Sequence, residues 1–207
     1  LKNNARFQKE GVKFVHNAPY ILMNLAGLKG KDAFIDWGTM SGWGLGYRVE
    51  KKEWSEEQLA LLGIDPAYMP RILKPWDIVG GVSAEMAEKT GLKAGTPVCA
   101  GAGDTMQSML GSGVFTAGQG VDVAGTCSMF CVSTKGIVPE LSRPGSGLIF
   151  NSGTLPDTYF YWGFIRTGGL ALRWFKDNIC NAAENPRYYT ELSEKAADVP
   201  AGCNGVV

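Results

Sequence analysis

Four short stretches of this sequence carry residue types able to do chemistry on a small ligand. The first is AGAGDTMQSMLGSG, residues 100–113, where Asp104 stands between a glycine-spaced strand end and the start of a helix. A carboxylate in that place has two readings. Asp is a strong helix N-cap, because its oxygens accept the first amides of the helix. A carboxylate at the C-terminal end of a strand also faces a ligand crevice in α/β folds, where it can take a proton from an attacking hydroxyl as a general base. The two are compatible, since one oxygen can cap while the other meets a substrate.

The second stretch is Gly125-Thr126-Cys127-Ser128. Small residues let backbone amides and hydroxyls close around an anion such as phosphate, although the same residues also make a plain β-turn. In the third, Arg166-Thr167-Gly168-Gly169-Leu170 opens the helix ALRWFKDNI. The first amides of a helix point outward, so a glycine-bearing helix start can hold phosphate, or it can simply begin a helix with no ligand. The fourth is Asp36 in FIDWGTMSGWGLG, between Trp37 and Trp43. An Asp among aromatic rings suits a polyhydroxylated ligand, and Trp is equally a core residue. No GxxxxGK[ST] phosphate loop occurs in the chain.

The elements that must position these residues follow an α/β order. Residues 14–28 space their apolar positions as a helix does, with Pro19 near its start, and residues 45–49 read as a short strand before a turn at Lys51-Lys52-Glu53. Ser55 with Gln58 three residues on is a capping-box start, followed by Leu59, Leu61 and Leu62 to bury and by Gly63 as the stop. Residues 78–82 form a strand, Ser83 caps the helix AEMAEKTG, and Gly91 ends it. A turn at Lys93-Ala94-Gly95 leads into the strand TPVCAGAG and then the helix of Asp104, an order that predicts a sheet with helices on its faces. From Gln119 the texture changes to glycine-rich hairpins, VDVAGTCSMFCVSTK, GLIFNSG and TYFYWGFIR, before helices return at 169–179 and 188–197.

Bulk composition excludes several function classes. The 207 residues balance 20 Lys and Arg against 20 Asp and Glu, so the basic footprint that nucleic acid requires is missing. No apolar run approaches the roughly 18–20 residues of a membrane span. Five cysteines without a CxxC pair, and one histidine, His16, give no metal-ligand spacing. Free thiols of a reducing compartment, the cytoplasm, are the expectation. The chain opens in mid-pattern at Leu1 and stops at Gly205-Val206-Val207 as a strand would start, which reads as an internal piece of a longer protein.

Taken in order, these stretches resemble the FGGY family of carbohydrate kinases, the group of xylulokinases, ribulokinases, gluconokinases and glycerol kinases. The resemblance is carried by IDWGTMSGWGLGYRVEKKEWSEEQLALLGI, IVGGVSAEMAEKTGLKAGTPVCAGAGD, MLGSGVFTAGQGVDVAGTCSMF, GFIRTGGLALRWFKD and AGCNGVV, five elements in the family's order. It implies an α/β, RNase H-like (actin-like ATPase) fold of two domains with ATP and sugar in the cleft between them. Residues 1–116 would be the C-terminal part of the sugar-binding N-terminal domain (domain I), and 117–207 the beginning of the nucleotide-binding C-terminal domain (domain II).

The same resemblance implies that Asp104 is the catalytic base and touches the substrate, and that Gly125 and Thr126 hold the terminal phosphates. It sets Gly168 and Gly169 near the nucleotide phosphates and Asp36 at the sugar pocket. The substrates implied are ATP, with Mg2+, and a small sugar or polyol, a ketopentose such as xylulose or ribulose being the commonest in the group. No protein metal ligand is implied, no nucleic-acid or membrane partner either, and a homodimer is compatible with it. This sequence departs from the family pattern where GTCS replaces GTS, which sets Cys127 at the serine position, and where IDWGTMSGW replaces an Asn-Ala-Ser version of the sugar segment. The family's early Asp-x-Gly-Thr loop, its GER segment and its late adenosine site are not in these residues, so the 207 residues alone are expected to bind nucleotide weakly and to show little or no kinase activity. A sugar-binding or regulatory module that kept the fold without catalysis is the alternative. A nucleophilic Cys127 or Cys131 has no partner base in the sequence.

Overall fold

The structure, a computed structural model, describes residues 11–42 and 46–205. Trp43, the strand start expected at residue 45, and Val206 and Val207 lie outside the described residues. The chain divides into two compact units, the first made of Leu1–Val123 and Phe130–Gly163, the second of Ala124–Met129 and Phe164–Val207.

Unit 1 begins with α1 (Asn17–Leu25), shorter at both ends than the apolar spacing predicts. Gly27 ends it: at φ +68 it lets the amides of Gly27 and Leu28 return to the carbonyls of Asn24 and Met23. Strand β1 (Phe34–Asp36) is buried at all three positions and pairs in parallel with β4 (Arg71–Leu73), Asp36 standing opposite Leu73. Phe34, with Met23, Ala33 and Ala100, forms a core packed on by Leu22, Leu73 and Val79. The hairpin of β2 (Tyr47–Arg48) and β3 (Glu53–Trp54) turns through Lys52 at φ +54.

Helix α2 (Glu56–Leu61) starts as the sequence predicts, Ser55 accepting the Gln58 amide. The reciprocal arm of the capping box does not form. Gln58 Oε1 instead accepts the Gly46 amide at 2.9 Å, tying the helix to the hairpin. Only Leu59 of its leucines is buried; Leu61 is 82% exposed and Leu62 46%. Leu61, two residues on, turns away from the face that Leu59 buries, and Leu62 is the C-cap beyond the last helical residue.

Strand β5 (Ile78–Gly81), α3 (Ala84–Thr90) with Ser83 as cap and Gly91 as stop, and β6 (Pro97–Cys99) occur in the expected order. Their pairing differs from the sheet with helices on its faces. β5 and β6 are antiparallel and form a two-stranded ribbon, with an irregularity between Ile78 and Gly80. The cause is the tight return after α3. Gly95 at φ +80 turns the chain so that Val82 and residues 95–96 exchange hydrogen bonds of 2.8 and 2.9 Å, which sets β6 antiparallel to β5 although α3 lies between them.

Helix α4 (Asp104–Gly111) follows, then the strands of a four-stranded sheet in the order β7-β8-β10-β9: β7 (Gly120–Ala124), β8 (Ser128–Thr134), β9 (Ile149–Ser152) and β10 (Tyr159–Ile165). A single-turn α5 (Pro139–Ser142) lies between β8 and β9. Unit 2 adds α6 (Gly168–Trp174), extended by a wider turn through Ile179, and α7 (Tyr188–Ala197). Cys203–Gly205 is a tight turn with Asn204 at φ +54, so Gly205 does not itself begin a strand. No helix among the described residues is long and apolar enough to cross a membrane.

Candidate active site

The candidate carboxylates belong to unit 1, the first of them, Asp36, at the end of β1. Asp36 is fully buried there. Its Oδ1 accepts the Thr39 amide at 2.9 Å and its Oδ2 accepts the Thr39 hydroxyl at 2.5 Å. Burial pushes the Asp36 carboxyl above its ordinary 3.8, against the pull of the hydrogen bonds from Thr39 and Gly38. The carboxylate thus offers no surface to a ligand in this structure and closes the 36–39 turn. That turn lies against the strand end that precedes α4. A Cβ on Gly38 would sit 2.9 Å from the Ala102 Cβ, and one on Gly103 would sit 3.6 Å from the Gly38 carbonyl oxygen.

Asp104 rests on that floor. Gly103, at φ −63 and ψ 153, is the N-cap of α4, and Asp104 is its first helical residue. The capping position expected for Asp104 is therefore off by one. Its Oδ1 nevertheless accepts the Thr105 amide at 2.7 Å. The residue is exposed, while Met106 and Met109 on the opposite face of α4 are buried and anchor the helix. No hydrogen bond among the described residues engages Oδ2.

Trp37 is a packing residue. Its indole donates to the Gly153 carbonyl at 3.0 Å, meets Trp76 edge-on at 5.3 Å, and carries the Lys52 ammonium 4.9 Å above its ring. The same ammonium lies 5.1 Å from the Tyr159 ring, so the left-handed turn residue clips the hairpin to β10.

In unit 2 the two glycine stretches come together. The Gly169 amide donates to the Gly125 carbonyl at 2.9 Å and the Leu170 amide to the Thr126 carbonyl at 3.2 Å. A Cβ on Gly169 would stand 2.7 Å from the Gly125 oxygen, and one on Gly168 would stand 2.9 Å from Ser128 Oγ. The glycines are there so that loop and helix start can touch. Two of the outward-pointing amides expected at this helix start are thereby taken up by the loop, and the Gly125 amide is held by the Cys127 carbonyl at 2.7 Å. Thr126 stays exposed, and its hydroxyl carries no hydrogen bond among the described residues.

Two contributors escaped the sequence reading. Thr39 fixes Asp36, and the Asp-x-x-Thr spacing of residues 36–39 is a side-chain-to-backbone turn signal that could have revealed it. The Cys127 thiol donates to the Arg166 carbonyl at 3.1 Å, across 39 residues of sequence, and no local pattern announces that. All five cysteines are free thiols. Burial pushes the Cys131 thiol up to about 11, which keeps it protonated at neutral pH and unsuited to nucleophilic attack.

Comparison with known proteins matches residues 1–111 to the N-terminal domain of the FGGY family of carbohydrate kinases. The autoinducer-2 kinase of Yersinia enterocolitica is 30% identical over 164 residues, 75% of this chain and 30% of that protein. Among solved structures, the xylulose kinase from Rhodospirillum rubrum is 28% identical, with a TM-score of 0.76 over 91% of this chain and 36% of that one. The ligand-bound xylulose kinase from Lactobacillus acidophilus superposes with a TM-score of 0.81 over 100% of this chain and 40% of that one, at 20% identity. The chain spans 30% to 40% of the length of these relatives.

Proposed function

The chain belongs to the FGGY family of carbohydrate kinases and has its mixed α/β, actin-like fold, and from that premise we propose that the whole protein transfers the γ-phosphoryl group of ATP to a hydroxyl of a small sugar or polyol. Asp104 is the general base. The observation that carries the reading is its carboxylate, exposed at the first position of α4 with one oxygen on the Thr105 amide and the other without a hydrogen bond among the described residues. The held oxygen fixes the group, and the second is available to a substrate hydroxyl. As that hydroxyl oxygen bonds to the γ-phosphorus, its proton passes to Asp104, the bond from phosphorus to the bridging oxygen breaks, and ADP leaves.

Residues 1–116 serve the sugar in this reading and 117–207 begin the nucleotide domain. Gly125 and Thr126 belong to the terminal phosphates, with the Thr126 hydroxyl as the donor. Gly168 and Gly169 act by letting the helix start support that loop. Asp36 serves the sugar pocket through the turn it closes beneath Gly103. A magnesium ion would accompany the nucleotide. Among the described residues no three His, Cys, Asp or Glu side chains converge, so these residues do not fit a protein metal cage.

A ketopentose is the first substrate to try, in keeping with the xylulose kinase from Rhodospirillum rubrum, and autoinducer-2 the second, after the kinase of Yersinia enterocolitica. The cytoplasm is the proposed location. The test is sugar-dependent ADP release by the protein at the length of its relatives, beside Asp104→Asn. Asn keeps an oxygen for the Thr105 amide and removes the base. A fall in kcat of about 10²–10⁴-fold with sugar affinity retained supports the reading. Sugar binding without ADP release by the unmutated protein would instead mark a non-catalytic module, and undiminished turnover in the variant would remove Asp104 as base.

A further inference from the structure

We propose that Cys127 is a positioning residue, its thiol locking the 125–128 loop to the start of α6 and thereby setting the affinity for the nucleotide phosphates; the second half rests on the kinase reading above. Three kinds of contact join the two segments. The main chain supplies the hydrogen bonds from Gly169 to Gly125 and from Leu170 to Thr126. Close packing supplies the second, since neither Gly168 nor Gly169 has room for a Cβ against the loop. The third is the Cys127 thiol on the Arg166 carbonyl at 3.1 Å, which among the described residues is the side-chain hydrogen bond between them.

The position of that bond gives it leverage. It grips residue 166, two residues before the helix begins, whereas the main-chain bonds grip residues 169 and 170 inside the first turn. The loop is therefore held on both sides of Gly168 and cannot pivot about the helix end. Thr126, between Gly125 and Cys127, is kept with its side chain outward and exposed. No described residue of unit 2 is buried, so apolar packing does not do this work. A loop fixed before a ligand arrives loses less conformational entropy on binding it. A thiol is a weak donor, which makes the effect modest and measurable.

The experiment compares wild type, Cys127→Ala and Cys127→Ser in the protein at the length of its relatives. One arm reads hydrogen exchange at the Gly169 and Leu170 amides, the other reads the dissociation constant of ADP by calorimetry, with sugar affinity as control. Cys127→Ala should speed exchange at both amides and weaken ADP by about fivefold, the worth of one net hydrogen bond, leaving sugar affinity unchanged. Cys127→Ser, which restores a donor, should return both readings to within about twofold of wild type on the same basis. Unchanged exchange in Cys127→Ala would overturn the lock. Faster exchange with unchanged ADP affinity would overturn its link to the nucleotide, and a serine variant as impaired as the alanine would overturn the hydrogen bond as its cause. A wild-type protein that binds no ADP would defeat the kinase reading instead, and the exchange arm would still decide the lock.

Discussion

Unit 1 and unit 2 hold their candidate site residues by different means. Every buried residue among those described belongs to unit 1, including Phe34, Ile35, Met40, Leu59 and Phe160, and Asp104 is carried on a helix whose Met106 and Met109 enter that interior. Unit 2 has no buried residue among those described and exposes Leu170, Leu172, Trp174, Phe175 and Ile179. Its loop and helix start are joined by main-chain hydrogen bonds, glycine contact and one thiol. A carboxylate can thus be positioned by burying the far face of its helix, and a glycine-rich loop by direct hydrogen bonding without a buried residue among those described. The first arrangement should be sensitive to lost volume, the second to added volume.

The sharpest way to break that comparison is to remove volume from unit 1. Phe160 of β10 is fully buried and stands opposite Asn151 of β9. Phe160→Ala should cost about 3–5 kcal/mol, read as a shift of the urea midpoint at unchanged slope. A loss under about 1 kcal/mol, below the range for such truncations, would mean that the interior collapses around the gap and that unit 1 is no better packed than unit 2.

Adding volume to unit 2 is the converse. Gly169→Ala places a methyl 2.7 Å from the Gly125 oxygen, a distance that backbone cannot absorb without moving. The loop should part from the helix start and ADP affinity should fall about tenfold, the equivalent of roughly 1.4 kcal/mol. The urea midpoint should barely change, since no buried group is touched. An alanine variant that binds ADP as wild type does would show that the loop functions without the helix start beneath it.

Much of the local scaffold was legible in the sequence, because caps and stops are chosen by chemistry within four residues. Ser55, Ser83, Gly63 and Gly91 each stand where the pattern placed them. Burial was less legible. Leu61 and Leu62 match Leu59 in type, and only the packing partner decides which of them is covered. The antiparallel β5–β6 pair depended on how tightly Gly95 turns, which a strand-helix-strand order does not reveal. Asp104 missed the cap position by one residue because Gly103 supplies the extended backbone that an N-cap needs. The meeting of residues 125–128 with 166–170 spans 39 residues, and local physics has no means of foreseeing it; only the resemblance brought the two stretches together.

Asp36 sharpens the comparison through pH. Its folded carboxyl is raised above the ordinary 3.8 by burial. A group raised on folding contributes stability that is fully present below its unfolded pKa and is lost as pH rises through the folded one. Wild type should therefore gain on Asp36→Asn as pH is lowered from neutral toward 3.8. Melting both proteins at neutral pH and at pH values approaching 3.8 measures the gap, which should widen on acidification. A gap that narrows would mean that the Thr39 hydrogen bonds outweigh burial and hold the carboxyl low.

The smallest effect belongs to Trp174, at the last position of α6 and 56% exposed. A tryptophan truncated from a packed interior costs about 3–5 kcal/mol, and one at an open surface about 0.5 kcal/mol or less. If unit 2 is held by hydrogen bonds and glycine contact, Trp174→Ala should fall in the second class, with the Gly169 and Leu170 amides exchanging as in wild type. A urea midpoint displaced as far as that of Phe160→Ala would break the comparison. It would mean that the tryptophan is covered in solution by a surface the described residues do not supply, so that unit 2 too is held by a core, one formed with another polypeptide segment.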